Sequence, residues 1–350
     1  MNRRDLLACT AVSLVAGCVP KIAGTALAGT QSTILPYLLK TGSTVGIISP
    51  GTAVSDPSDL AKITEVLDTL GLKAKFGKCF SNNSRGYKTK SAQERVDDIH
   101  DFFSDSSVSA IFCARGGYGS GILLDSIDYN LIKKNPKILL GYSDITALHL
   151  AINKLTGLVT FHGPVMMSPF TNFTFDNLKK ALFTVSPIGK LMNPSSMSGI
   201  RKIYPTRSII GGKAAGALIG GNLSLICSLM GTEYEIDTKR KILLIEDVDE
   251  EPFRMDRMLN QLRLAGKFKD AAGVIIGLCN GCEPKGSQSS TWDSSLGEIL
   301  ERIFNQYDKP VFYGLVFGHT SDQLTLPIGV KAEMNADEGS LTISEPCLID

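Results

Sequence analysis

Between Thr44 and Pro164 short apolar runs alternate with amphipathic stretches, and this alternation restricts the chain to one broad class of fold. Val45 to Ser49, Lys73 to Phe76, Ala110 to Ala114, Ile138 to Gly141 and Leu158 to Phe161 have the length and the flanking turn residues of strands. Pro57 to Leu70, Ser91 to Phe103, Gly119 to Leu124 and Ile145 to Lys154 lie between or beside them with helical spacing. Ser91 with Glu94 three residues on has the spacing of a capping box. Strands that alternate with helices imply an α/β fold whose parallel sheet is covered on both faces, with ligands at the carboxyl ends of the strands. Two Gly-rich turns fall at those ends: Arg115-Gly116-Gly117-Tyr118-Gly119 and Gly141-Tyr142-Ser143.

A chain of 350 residues exceeds what one hydrophobic core usually serves, so two domains are expected. The first spans residues 41–165; residues 166–210, mixed in Met, Ser, Pro, Asn and Phe with one helix over Asp176 to Phe183, read as a linker. The second, over 211–345, contains strands at Gly211 to Leu218, Lys241 to Glu246, Gly273 to Gly277 and Val311 to Val316. Its helices are Asn222 to Leu229, Pro252 to Leu264 and Ser294 to Phe304, and a hairpin over Gly329 to Ile343 turns at Asp337-Glu338-Gly339. Charged residues make up 20% of the chain and the net charge is +1, which leaves no electrostatic footprint for nucleic acid.

Residues 1–28 read as an export signal rather than as part of the fold. Arg3-Arg4 precede the uncharged, mostly apolar stretch Leu6 to Cys18, and the small-residue site Ala26-Leu27-Ala28 follows. The stretch is short of the roughly 20 apolar residues a spanning helix needs. Asn2-Arg3-Arg4-Asp5-Leu6-Leu7 resembles a twin-arginine signal, with Leu6 where Phe is common. Val15-Ala16-Gly17-Cys18 also resembles a lipoprotein signal, which would attach the chain to a membrane through Cys18; cleavage after Ala28 is preferred. Both routes lead out of the cytoplasm, and the expected location is the periplasm. Of the cysteines beyond the signal, Cys279-Asn280-Gly281-Cys282 has redox or metal-site spacing. A single C-x-x-C without a second Cys or His pair is weak evidence for zinc, and a disulfide there is left open.

Ile138 to Thr146 carries the strongest chemical signal. A serine on a sharp strand-to-helix turn exposes its hydroxyl and sets the following N–H groups at a helix start, where they can stabilise an oxyanion. The alternative is a helix cap built from Ser143 or Asp144. A nucleophilic Ser143 needs a base. Of the four histidines, His100 ends an amphipathic helix and His149 lies two turns beyond Ser143. His319, in a Gly-marked loop past Val311 to Val316, leads, and His162 is second. Glu246, first after the apolar run of its strand, is the candidate orienting acid; its ordinary reading is a capping or surface carboxylate.

Several ordered segments together carry a resemblance. They are Ala114-Arg115-Gly116-Gly117-Tyr118-Gly119, Gly141-Tyr142-Ser143-Asp144-Ile145-Thr146, His162-Gly163-Pro164, Gly220-Gly221-Asn222-Leu223, Ile245 to Leu259, and Gly318-His319 followed by Thr325-Leu326-Pro327-Ile328-Gly329. In these the chain, from Thr44 to Ile343, resembles the serine-type LD-carboxypeptidase family of muramoyltetrapeptide carboxypeptidases and microcin C self-immunity peptidases. The resemblance implies a flavodoxin-like or amidotransferase-like N-terminal domain, a smaller C-terminal α/β domain and an active site in the cleft between them. It implies a Ser143–Glu246–His319 triad, with the backbone N–H groups of Gly117 and Asp144 as oxyanion donors. Arg115 and Gly116 are weaker candidates for binding the substrate carboxylate. The implied substrate is a murein tetrapeptide losing its terminal D-alanine, with no cofactor, no metal and a homodimeric assembly. The departure from the family is the export signal, since relatives of this type are commonly cytoplasmic. Two rival expectations are a peptidase that detoxifies a microcin C-like peptide–nucleotide and a non-catalytic muropeptide-binding protein.

Overall fold

Thr44–Ile48 (β1), Lys73–Phe76 (β2), Ala110–Cys113 (β3), Ile138–Gly141 (β4) and Thr160–His162 (β5) lie parallel in the order 2-1-3-4-5, and a further antiparallel strand joins the β5 edge. This is the flavodoxin-like order, whose strand sequence reverses between β1 and β3 and opens a crevice at their carboxyl ends. The computed structural model describes residues 32–54, 56–80, 90–284 and 295–350. The expected export signal, with Arg3, Arg4, Cys18 and Ala28, lies outside the described residues. Residues 32–350 make one compact unit.

Burial explains the strand pattern. Every residue of β3 and β4 is buried, as expected for parallel strands covered on both faces, whereas β2 is exposed at its edge. The covering helices are Pro57–Leu70 (α1), Ala92–Ser104 (α2), Tyr129–Lys134 (α3) and Thr146–Thr156 (α4). The Asp56 carboxylate accepts the Ser58 N–H at α1, and the reciprocal Ser91–Glu94 capping box starts α2. The α3 turn, not apparent from the sequence, is fixed by Asp128, whose carboxylate accepts the Asn130 and Leu131 N–H groups. Gly119 to Leu124, expected as the start of a helix, is instead a 3₁₀ turn over Ser120–Ser126.

The second sheet begins within residues 166–210. After Asn172–Leu182 (α5) come Gly189–Leu191 (β6), a small hairpin of Met197–Ser198 (β7) and Arg201–Lys202 (β8), and Arg207–Ile210 (β9). Four parallel strands, Lys213–Asn222 (β10), Ile242–Glu246 (β11), Gly273–Gly277 (β12) and Val311–Leu315 (β13), form the centre. The helices Leu223–Ser228 (α6), Pro252–Leu264 (α7), Lys267–Asp270 (α8) and Leu296–Phe304 (α9) connect them. Antiparallel flanks complete the sheet: β9 on β13, and on β10 the hairpin Lys331–Asn335 (β15) and Ser340–Ile343 (β16), then β6.

Leu326–Ile328 (β14) leaves this second sheet and pairs with β5 of the first, with Leu326 opposite His162 and Ile328 opposite Thr160. At the other end of the junction the Asn222 N–H, closing β10, donates to the Thr146 hydroxyl at the start of α4, 3.0 Å away. The two sheets are therefore stitched by backbone as well as by apolar contact. Leu326 is fully buried at this seam. Leu326→Ala should lower stability by about 2–5 kcal/mol while leaving a single unfolding transition. Chemical denaturation followed by both fluorescence and circular dichroism checks this, and two separated transitions would count against a shared seam.

Candidate active site

β4 ends at Gly141, Tyr142 is still extended, and Ser143 turns the chain with φ 64, a left-handed conformation that side chains rarely adopt. Such strain persists only where the surroundings impose it. Here it lifts the hydroxyl off the end of the sheet and starts the 3₁₀ turn Ser143–Ile145 that leads into α4. Ser143 is thus the bend between strand and helix rather than a helix cap: Tyr142 and Ile145 occupy the cap positions and neither makes a side-chain cap bond.

His319 reaches this serine from the second sheet. Its Nε2 lies 3.1 Å from Ser143 Oγ, and its Nδ1 lies 2.7 Å from Glu246 Oε2. The Glu246 side chain is fully buried and that of His319 is 19% exposed, so solvent reaches the pair only through the imidazole. Tyr142 packs edge-on against the imidazole, with ring centroids 4.9 Å apart. Burial disfavours the imidazolium, but the hydrogen bond and charge of Glu246, with Asp247 and Asp249 behind it, outweigh that and raise the His319 pKa above the usual histidine value.

His162, the second candidate base, is fully buried between Tyr142 and Phe317. Burial, with the neighbouring His149 and His319, drives its pKa down to about 3. Both its ring nitrogens lack a hydrogen-bond partner among the described residues, so it packs rather than serves Ser143. His149 is buried with Nε2 on the Gly141 carbonyl at 2.8 Å, and His100 accepts the Asp128 N–H, also at 2.8 Å.

The acid reaches the base only because glycine intervenes. Glu246 ends β11 and His319 follows β13, with β12 between them. A Cβ at Gly277, the end of β12, would meet Glu246 Cβ at 3.1 Å and the Phe317 ring at 3.0 Å. At Gly318, where φ is 79, a Cβ would come within 2.3 Å of Glu246 Oε2. Sequence reasoning assigned neither glycine a role, although Gly318 stands directly before the base.

The opposite wall comes from the β1 and β3 ends. Gly116 abuts Ser143, and Gly117 is held at φ 96 with its missing Cβ position 2.2 Å from Thr52 Oγ1. Thr52 brackets this glycine: its N–H donates to the Gly116 carbonyl at 3.1 Å, and its hydroxyl accepts the Tyr118 N–H at 3.2 Å. One carboxylate then ties the loop to the nucleophile turn. Asp144 accepts the Ser120 N–H at 2.8 Å, the Ser120 hydroxyl at 2.6 Å and the Gly119 N–H at 3.3 Å. Buried Arg95 donates to the carbonyls of Pro50, Gly51 and Gly119. Burial lowers the Arg95 pKa, and the Asp144 charge opposes that. Thr52, Arg95 and Ser120 were not apparent from the sequence, though Thr52 lies at a strand's carboxyl end, where ligand-binding residues gather.

Arg115 is half-buried beside Gly116 and makes no hydrogen bond or ion pair among the described residues. No group of three His, Cys, Asp or Glu side chains among the described residues is arranged to hold a metal ion. The assembled groups are those of acyl transfer: a hydroxyl nucleophile and a base oriented by a buried acid. Gly318→Ala should push Glu246 off His319 and lower kcat by about 10²-fold, in line with the cost of a displacement near 1 Å. Circular dichroism should remain native, and unchanged turnover would show that the glycine is not needed for the acid's approach.

Comparison with known proteins identifies the family. Residues 45–163 match the model for the LD-carboxypeptidase N-terminal domain and residues 215–334 the model for its C-terminal domain. A probable murein peptide carboxypeptidase of Bacillus subtilis is 42% identical over 308 residues, covering 88% of this chain and 93% of that protein. The microcin C7 self-immunity protein of Escherichia coli is 28% identical, covering 90% of this chain and 97% of its own. The crystal structure of a muramoyltetrapeptide carboxypeptidase from Oxalobacter formigenes superposes with a TM-score of 0.74 at 28% identity, covering 87% of this chain and 99% of that one. The chain belongs to the LD-carboxypeptidase family.

Proposed function

We propose that this protein is a serine LD-carboxypeptidase that removes the terminal D-alanine from murein stem tetrapeptides, cutting the bond from the L-centre of diaminopimelate. The observation that carries the reading is the Ser143–His319–Glu246 relay, 3.1 Å and 2.7 Å long, on a serine bent to φ 64. The two relatives named for murein peptide and muramoyltetrapeptide carboxypeptidases support the substrate class.

Ser143 Oγ attacks the scissile carbonyl as its proton passes to His319 Nε2. Glu246 holds the Nδ1–H tautomer and stabilises the imidazolium that forms. The N–H groups of Gly117 and Asp144 receive the oxyanion; each such donor is typically worth about 10²–10³ in kcat. His319 then protonates the departing D-alanine amine, and water, deprotonated by the same imidazole, releases the acyl group. The substrate's free carboxylate faces Arg115, whose guanidinium has no partner among the described residues. A bidentate contact there would select a carboxyl terminus over an internal bond.

The detoxifying reading draws on the microcin relative, and that protein's kinship is to the family as a whole. Export through the segment with Arg3-Arg4 belongs to the proposal, with cleavage after Ala28 and action on the periplasmic pool, as does a homodimer. Lipidation at Cys18 would instead hold the enzyme at a membrane.

Incubation with L-Ala-D-Glu-meso-diaminopimelate-D-Ala should release D-alanine in the presence of EDTA. Ser143→Ala should lower kcat by about 10⁴–10⁶-fold. Release that survives in Ser143→Ala, or a preference for a peptide–nucleotide over the tetrapeptide, would defeat the assignment. Arg115→Ala should raise KM for the tetrapeptide more than it lowers kcat.

The raised His319 pKa sets the pH profile. The base works only when neutral, so raising its pKa moves the acid limb of kcat/KM upward, to a midpoint above the ordinary histidine value of about 6.5. Glu246→Gln removes the charge that raises it, and the limb should move to lower pH as kcat falls. An acid limb that stays in place in Glu246→Gln would assign it to another group.

A further inference from the structure

The C-x-x-C segment is not used by the mechanism, yet it is built into the frame of the acid and the base. The Cys282 N–H donates to the Cys279 carbonyl at 3.2 Å and closes a four-residue turn with Gly281 at φ 73. Such a turn keeps its end Cα atoms within about 7 Å. A disulfide spans Cα separations of about 4.4–6.8 Å, so the backbone already meets the main requirement for one. Both thiols are free and buried. Each thiol donates to a backbone carbonyl, Cys279 Sγ to Gly277 and Cys282 Sγ to Asn280, both at 3.7 Å, and their mutual influence holds Cys282 below the usual thiol range and Cys279 well above it. Cys79, Cys113, Cys227 and Cys347, by contrast, are all pushed upward, chiefly by burial, and behave as inert core thiols.

The two residues inside the turn touch the catalytic loops. Asn280 Nδ2 donates to the His319 carbonyl at 2.6 Å, and the Asn280 carbonyl accepts the Asp249 N–H at 2.8 Å. Asn280 also bridges Val248, two residues after Glu246. A Cβ at Gly281 would lie 2.3 Å from Asp249 Oδ1, so the turn is pressed against the loop that follows the acid. The turn is thus tied by hydrogen bonds to the loops of both His319 and Glu246.

We propose that Cys279 and Cys282 form a reversible disulfide across this turn, and that closing it loosens the hold of Asn280 on the His319 loop and slows turnover. The reaction is thiol–disulfide exchange with a small or protein disulfide. One Cys thiolate attacks a sulfur of the oxidant, and the second displaces the mixed disulfide. The Cys279–Cys282 bond forms, the oxidant's S–S bond breaks, and the oxidant leaves as two thiols carrying the two protons. The dithiol form has the relay in bonding distance and is the active one. Closing the bond draws both sulfurs together across the flexible Gly281, with Asn280 between them. The expected cost is that of one weakened hydrogen bond, about two- to tenfold in kcat.

The test uses the purified full chain equilibrated with mixtures of oxidised and reduced glutathione, then denatured, alkylated with iodoacetamide and read by peptide mass spectrometry, with kcat measured on the tetrapeptide in parallel. Oxidation should remove alkylation at Cys279 and Cys282 together, and reduction should restore it, with kcat falling and recovering in step. Cys282→Ser should abolish both responses. Asn280→Ala should keep the disulfide but make kcat indifferent to it. Two alkylated thiols at every oxidant ratio would overturn the proposal, as would a disulfide that leaves wild-type kcat unchanged. The kinetic half rests on the carboxypeptidase reading, whereas the thiol count does not. An enzyme inert in both redox states would therefore sink that reading, and only the thiol result would then judge the disulfide.

Discussion

The catalytic distances depend on one backbone pairing, that of β14 with β5. Ser143 belongs to the first sheet and His319 to the second, so their 3.1 Å contact requires the two sheets to be held in register. The loop bearing His319 leaves β13 in the second sheet and enters β14 in the first, where Leu326 lies opposite His162. β5 neighbours β4, the strand that ends at the nucleophile turn. The base is therefore anchored on both sides, and on one side to the strand next to its own substrate proton. The bond from the Asn222 N–H to Thr146 Oγ1 does the same for the acid's neighbour, because β10 pairs with β11 up to Glu246. A relay built on strand ends in this way loses little entropy on forming, since its members already stand within bonding distance without substrate.

Much of this frame was legible in the sequence, and the reasons are physical. β2 and α1 start and stop at the expected residues because the signals that bound them act locally: Asp56 and Gly71 at the helix ends, then a short run before the next turn. The capping box at Ser91 and Glu94 was visible for the same reason. The strand-to-helix bend at Ser143 could be read from Gly141-Tyr142-Ser143-Asp144 because so few residues can follow a buried strand and still begin a helix. What local signals could not show was pairing between distant segments. Arg207–Ile210 and Gly189–Leu191 carry too little periodicity to announce strands, and join the second sheet only because β13 and β16 offer them edges. Leu326–Ile328 contains a proline, which normally argues against a strand, and tolerates it at the edge of the first sheet.

The candidate site divides in the same way. Ser143, Glu246 and His319 are the leading candidates from residue type and strand-end position, the family resemblance joins them as a triad, and the structure brings them together. Arg95 was out of reach, because its function depends on a buried cation meeting the carbonyls of Pro50, Gly51 and Gly119, and a helix sequence does not say which arginine turns inward. Ser120 is equally silent until Asp144 is seen to accept both its N–H and its hydroxyl. Asp144 then has two duties: its backbone N–H stands beside the nucleophile, and its carboxylate fixes the loop bearing Gly117. The spacing of the two proposed oxyanion donors is thereby tied to one side chain.

A fully buried carboxylate such as that of Glu246 is costly unless its charge is compensated, and its partner in the form competent to act as base is a neutral imidazole. The compensation is incomplete before reaction and improves when His319 accepts the serine proton. The attraction between Glu246 and the imidazolium is therefore stronger after proton transfer than before it, which is the condition for lowering a barrier rather than merely binding a ground state. Gly277 and Gly318 let the carboxylate approach without water between it and the ring. The low dielectric that makes the charge expensive also makes its response to the imidazolium large. An acid at the surface would be cheaper to fold and less useful, because solvent would answer the proton transfer in its place.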